Sequence, residues 1–253
     1  MIDIHAHLDN EIFDKDFDLI LERCFRSGIN KIIIPSINFE SITKVIDITQ
    51  RFNNTLPAIG LHPHEIENLD LLASKQILEK FLNNTKFIAI SEIGLDFYYD
   101  KDFEKKQIEF LEMQLELGEK YNLPVILHIR EAFDRMFEIL KTFNIKNPIW
   151  HSFTGNLDEA RKFIDLGGYI SLSGLITFKK SDSLRKIIKY LPLERIFCET
   201  DSPYLTPEPY RGKRNEPLFV KLIYEKICEI KGIDLEYLEK IIEDNFKNVF
   251  GNF

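Results

Sequence analysis

Eight short apolar runs recur along the chain, separated by segments that carry helical periodicity. That alternation restricts the fold more than any other feature. The first run opens the chain at Ile2 and Ile4, and the next two cover residues 31–35 and 56–61. Later runs cover residues 87–91, 125–127, 148–150, 169–172 and 195–198. Helices are expected over residues 16–26, after a cap at Asn38, and over 69–82, 102–121 and 131–143. Further helices are expected from Asn156 to the Gly167-Gly168 pair, and over 183–190, 217–230 and 235–250. Ser27-Gly28 and Asn122 suit helix ends, and Pro124 stops the longest helix. In the second helix Ile42, Val45, Ile46 and Thr49 are the expected inner stripe.

Runs that are continuously apolar, rather than alternating, fit strands buried on both faces of a parallel sheet. Eight is the number that closes a (β/α)8 barrel, and 253 residues is an ordinary length for one. The expectation is therefore an α/β chain, with residues 1–253 forming a single TIM-type barrel domain. An open doubly wound sheet is the alternative. It is weakened because no Gly-x-Gly-x-x-Gly follows any run.

At 44% hydrophobic and 29% charged, the composition is that of a globular protein with a substantial core. No run approaches the ~18 apolar residues of a membrane helix, and Met1 leads directly into a strand rather than a signal sequence. Cys24, Cys198 and Cys228 are odd in number and far apart, and read as reduced thiols of a cytoplasmic protein. A net charge of −8 argues against a protein that coats nucleic acid non-specifically. It does not argue against an enzyme that grips one phosphate locally.

The polar residues gain meaning from their positions. His5 and His7, two apart in an extended segment, should share one face. By themselves they could be two ordinary histidines at a frayed terminus. However, His5, His7, His62, His64, Glu92, His128, His151 and Asp201 each fall at or just past the end of an apolar run, and they include all six histidines. In a barrel those ends form one mouth, where active sites are built. Imidazoles with carboxylates exceed the three protein ligands that single-zinc hydrolysis needs, and suggest two ions bridged by one carboxylate. Mixed nitrogen and oxygen donors favour transition metals such as Zn, Mn, Fe or Ni over an all-oxygen magnesium site.

The blocks Asp3-Ile-His-Ala-His-Leu8, Gly60-Leu-His-Pro-His64 and Glu92-Ile-Gly-Leu-Asp96 resemble those of TatD-family hydrolases, metal-dependent nucleases among the amidohydrolase-like barrels. So do residues 123–132, His151-Ser-Phe-Thr-Gly155, Glu199-Thr-Asp-Ser-Pro-Tyr-Leu205, Arg211-Gly-Lys-Arg-Asn-Glu-Pro217 and the Asn245 to Phe250 segment. The resemblance spans essentially the whole chain. It departs mildly at Ser91, where Gly is common, and at Ile129, where a small polar residue is common. It implies that His5, His7 and Asp201 hold one divalent ion, that His128 and His151 hold a second, and that Glu92 bridges both. It also makes Asp201 the general base, and places His64 and His62 against the substrate phosphate or a ligand. The implied cofactors are two divalent ions (Mg2+, Mn2+ or Zn2+). The implied substrate is DNA, single-stranded or at 3′ ends, cut 3′ to 5′, with no membrane and no obligatory protein partner.

Arg130 follows His128 and would bind phosphate, or pair with Glu131 or Asp134. The Pro-rich segment 202–216 leaves the last strand beside Asp201, so Arg211, Lys213 and Arg214 are candidates for local positive charge at the mouth. Phe97, Tyr98 and Tyr99 could stack on a base, although packing against the core is the commoner use of such residues. Three function classes follow: a two-metal deoxyribonuclease, a barrel hydrolase of small esters, amides, lactones or phosphoesters, and a metal-binding protein without turnover. The last is disfavoured by the presence of both Glu92 and Asp201.

Overall fold

A computed structural model describes residues 1–98 and 103–251. The strands are β1 (Ile2–Asp3), β2 (Lys31–Pro35), β3 (Thr55–Ile59), β4 (Ala89–Asp96), β5 (Val125–Arg130), β6 (Ile149–Trp150), β7 (Tyr169–Leu172) and β8 (Ile196–Cys198). The helices are α1 (Phe17–Arg26), α2 (Phe39–Arg51), α3 (Leu71–Asn84), α4 (Glu104–Tyr121), α5 (Phe133–Leu140), α6 (Leu157–Asp165), α7 (Asp182–Tyr190), α8 (Val220–Lys231) and α9 (Leu235–Phe250). Strands pair in parallel in chain order, β1 to β8. The sheet closes where the Ile4 N–H donates to the Cys198 carbonyl at 3.1 Å. Beyond the strand ends the same seam continues, with Asp201 N–H donating to His5 O at 2.9 Å and His7 N–H to Ser202 O at 2.8 Å. The barrel expectation therefore holds, and the open sheet does not.

Local chemistry accounts for the helix limits. Asn38 and Ser41 form a reciprocal capping box at the start of α2, as do Asn156 and Glu159 at the start of α6. Asp70 and Asp234 cap α3 and α9 through their side chains. Asn122 takes a left-handed φ of 51° and ends α4 just before Pro124, as its sequence context predicts. In α2 the buried stripe is Ser41, Ile42, Val45 and Ile48, whereas Ile46 and Thr49 are only half-buried. The expected stripe ran one residue off at its C-terminal end. Helix α5 is shorter than expected because Glu131 stands at a positive φ of 52° before it, and the Thr142 hydroxyl bonds back to the Ile139 carbonyl after it.

The largest departure is in β4. Its apolar run ends at Ser91, yet the strand continues to Asp96, with a register shift against β5 between Ser91 and Ile93. Glu92 sits at this bulge with a φ of 56°, a conformation that L residues hold only when their surroundings enforce it. Past the bulge the two backbones run so close that a Cβ on Gly94 would lie 1.9 Å from the His128 carbonyl oxygen. A methyl group at Gly94 would push β4 from β5 and move Glu92 relative to His128. Gly94→Ala should cost about 3 kcal/mol or more, because backbone cannot yield as a side chain can. A melting temperature within a degree or two of wild type would contradict this close approach.

Candidate metal centre

At the C-terminal mouth of the barrel, His5 and His7 turn their rings to one side, with Nε2 atoms 3.3 Å apart. Glu92 Oε1 lies 3.7 Å from His5 Nε2 and 3.4 Å from His7 Nε2. Asp201 Oδ1 lies 3.9 Å and 3.3 Å from the same two nitrogens. Across the mouth, His128 Nδ1 and His151 Nε2 are 3.2 Å apart, and the His151 ring stacks on His5 at 4.3 Å between centroids. Asp201, like Glu92, has a positive φ of 56°, so both carboxylates project from strained backbone. Among the described residues three donor sets have ligand atoms within 4.8 Å of one another: His5, His7 and Asp201; His5, Glu92 and His151; and His62, Glu92 and His128. His62, expected against the substrate phosphate or a ligand, belongs to the third of these sets.

The electrostatics follow from this crowding. Burial opposes charge on His7, but Glu92 and Asp201 outweigh it and hold the imidazolium well above the usual histidine range. Burial likewise opposes charge on His151, whose pKa is nevertheless pushed up to about 9 by Glu199, with Asp201 adding to the effect. Glu92 resists protonation despite its burial because His7 and His5 face it, and Asp201 is held down mainly by His7. Burial dominates at His62 and His128 and keeps both below the ordinary range.

Two carboxylates whose roles the sequence did not reveal support these rings. Glu199 is wholly buried. Its Oε1 lies 3.4 Å from His151 Nδ1 as an ion-pair contact, and it accepts hydrogen bonds from the Ser152 N–H at 2.6 Å and the Ser171 hydroxyl at 2.6 Å. Asp96 Oδ2 lies 3.1 Å from His64 Nε2, 3.2 Å from His128 Nε2 and 3.8 Å from Arg130 Nη1. Both carboxylates fall inside motif blocks, beside residues that draw attention first. Their partners come from other strands, which is why only the fold pairs them. Tyr204, also within a motif block, is exposed and makes a T-shaped contact with His7 at 5.9 Å between centroids.

Of the basic residues predicted at the mouth, Arg130 alone lines it. It borders two cavities of about 450 and 340 Å³ that reach His128, one extending to His7 and Glu92 and the other to His151 and Asp201. Asp96 is a carboxylate neighbour of Arg130, at 3.8 Å. Arg211, Lys213 and Arg214 border neither cavity. Arg214 grips Asp16 with both Nη atoms, at 2.9 and 2.6 Å, and also Glu216 at 2.9 Å, so its charge ties the 202–216 segment to the barrel wall. Arg211 lies over the Phe178 ring at 4.1 Å and Lys213 near Tyr210 at 5.6 Å. The segment itself is organised, with Asn215 Nδ2 donating to Thr200 O at 2.8 Å and to Tyr204 O at 2.5 Å. Phe97 packs partly against the core, Tyr98 is exposed, and Tyr99 lies outside the described residues.

An imidazole and carboxylate cluster at the mouth of a (β/α)8 barrel defines the class of metal-dependent barrel hydrolases. A family profile described as "TatD related DNase" matches residues 2–251. The metal-dependent hydrolase YabD of Bacillus subtilis is 34% identical, with the alignment covering 99% of this chain and 98% of YabD. YcfH of Escherichia coli, also a metal-dependent hydrolase, is 32% identical over 99% of this chain and 95% of its own. The crystal structure of the TatD homologue YjjV from E. coli superposes with a TM-score of 0.94 at 30% identity, covering 100% of this chain and 98% of YjjV. A TatD-family hydrolase from Entamoeba histolytica gives 0.86 at 25% identity, covering 99% and 97%. This chain belongs to the TatD family and is a metal-dependent hydrolase.

The side chains fit a cation. Glu92 Oε2 is buried with no hydrogen-bond partner among the described residues, and a carboxylate oxygen left so is costly unless positive charge meets it. Without a cation, His7 and His151 carry protons at neutral pH, and these must leave before the nitrogens can ligate. The pKa of His151 in the fold, about 9, is above the free value, so protonation competes with metal below it. Affinity for a divalent ion should therefore rise with pH through this range. Calorimetric titrations in two buffers of different ionisation enthalpy should show net proton release near neutral pH. Affinity independent of pH, with no proton release, would contradict the assignment.

Proposed function

We propose that this hydrolase is a deoxyribonuclease that cleaves phosphodiester bonds from DNA ends, in the 3′ to 5′ direction, with two divalent ions. The observation that carries this reading is the convergence of His5, His7, His128 and His151 on Glu92, with Asp201 beside His5 and His7; the second oxygen of Glu92 has no hydrogen-bond partner among the described residues. In this reading His5, His7 and Asp201 hold one ion, His128 and His151 the other, and Glu92 both. The imidazole donors favour Zn2+ or Mn2+ over Mg2+. Bound ions would supply positive charge to the phosphoryl oxygens and acidify a water molecule. The family description supports a nucleic-acid substrate. The free thiols at Cys24, Cys198 and Cys228 fit a reducing compartment such as the cytoplasm.

The protein groups have separable tasks. Asp201 stays ionised beside His7 and accepts the proton of the attacking water. Glu199 orients His151, and Asp96 holds the rings of His64 and His128 in place. Arg130 and His64, on the cavity wall, receive non-bridging phosphate oxygens.

A second reading, hydrolysis of a small ester, amide or lactone, is favoured by the cavities of about 450 and 340 Å³, which have the size of small-ligand sites. Arg130 is the one Lys or Arg bordering them among the described residues. Asp201→Asn, assayed on labelled single-stranded DNA at saturating metal, should lose at least about a hundredfold in turnover. Near-native turnover would remove Asp201 from the chemistry. Wild-type hydrolysis of small esters or amides, with DNA left intact, would favour the second reading.

A further inference from the structure

A larger cavity, of about 710 Å³, opens beside the candidate metal centre, bordered by the segments that follow β4, β5 and β6. It shares Ile129, Arg130 and Thr154 with the 340 Å³ cavity that reaches His151 and Asp201, so the two are neighbours across one boundary. None of the candidate metal ligands borders it. Its wall combines Phe133, Trp150 and Tyr98, with Phe133 and Trp150 stacked at 5.4 Å and Tyr98 beneath the Arg130 guanidinium at 3.8 Å. Its rim is acidic: Glu131, Asp134 and Glu159 line it. Arg135, the other cation there, pairs with Glu138 at 3.2 Å.

We infer that this cavity receives the terminal nucleoside of the strand being cut and rejects a terminal phosphate on it. The inference rests on the nuclease reading above and specifies which end that nuclease accepts. Phe133 and Trp150 are buried and form an apolar floor, so stacking on a base falls to the exposed Tyr98 and the guanidinium packed on it. The acidic rim suits a neutral, amine-bearing base and a free hydroxyl, and repels a second phosphate beyond the first. Arg130, at the boundary of the two cavities, faces the phosphate that joins the nucleoside to the rest of the strand. A strand laid this way has its scissile phosphate on the metal side of Arg130 and a single nucleoside beyond it.

The test compares 5′-labelled single-stranded oligonucleotides ending in a 3′-hydroxyl or a 3′-phosphate, using the full-length metal-loaded enzyme. The hydroxyl end should be cut with kcat/KM at least about tenfold higher, the scale of like-charge exclusion at a binding surface. The preference should shrink as salt is raised, because exposed carboxylates are screened. Glu131→Gln/Asp134→Asn keeps the shape of the rim while removing two charges, and should narrow the ratio. Because the ratio is read within one preparation, partial loss of folding does not alter it. Equal cutting of both ends by wild type, or an unchanged ratio in the double variant, would overturn the inference and leave the nuclease reading standing. Failure to cut any DNA, alongside hydrolysis of small esters, would overturn both.

Discussion

Glu92 occupies the point on which the mouth of the barrel depends. Its carboxylate is buried, faces His5 and His7 through one oxygen, and leaves the other without a hydrogen-bond partner among the described residues. Such a group is stable only where cationic neighbours compensate its lost hydration. The His7 imidazolium supplies that compensation in the metal-free protein, and a divalent ion would supply it in its place. The rest of the mouth follows from this constraint. The bulge in β4 lifts Glu92 out of the strand register, Gly94 lets β5 approach, and that approach brings His128 to the same centre.

The seam between the first and last strands does comparable work from the other side. Strand β1 is only two residues long, yet hydrogen bonds from His7 to Ser202 and from Asp201 to His5 extend the pairing beyond it. These backbone bonds fix the ligand-bearing residues themselves. Two chain segments almost two hundred residues apart thus deliver two imidazoles and a carboxylate to one place. Asp3, fully buried below them, binds the Thr200 N–H at 2.9 Å and its hydroxyl at 2.6 Å, and so ties the same two segments together.

Much of this was legible in the amino-acid sequence, for identifiable reasons. Strands buried on both faces write themselves as apolar runs such as Ile32 to Ile34. A histidine or carboxylate closing such a run marks the mouth of a barrel. Caps at Asn38, Asn122 and Asn156 were readable because they depend on a few adjacent residues. The bulge at Glu92 was not, since Ser-Glu-Ile carries no mark of a backbone distortion that only pairing with β5 creates. Nor was the fate of Arg214, which sits in a basic cluster beside Asp201 but is claimed by Asp16, 198 residues earlier. Asp96 and Glu199 were visible as letters in motifs, but their partners belong to other strands.

Whether one carboxylate serves the whole centre is read from its metal content. Elemental analysis of purified protein should find two divalent ions per chain in the wild type. It should find close to none in Glu92→Ala and about one in His128→Ala, with circular dichroism confirming that each variant is folded. Full two-ion occupancy in folded Glu92→Ala would contradict the shared role of Glu92 and the two-ion centre built around it.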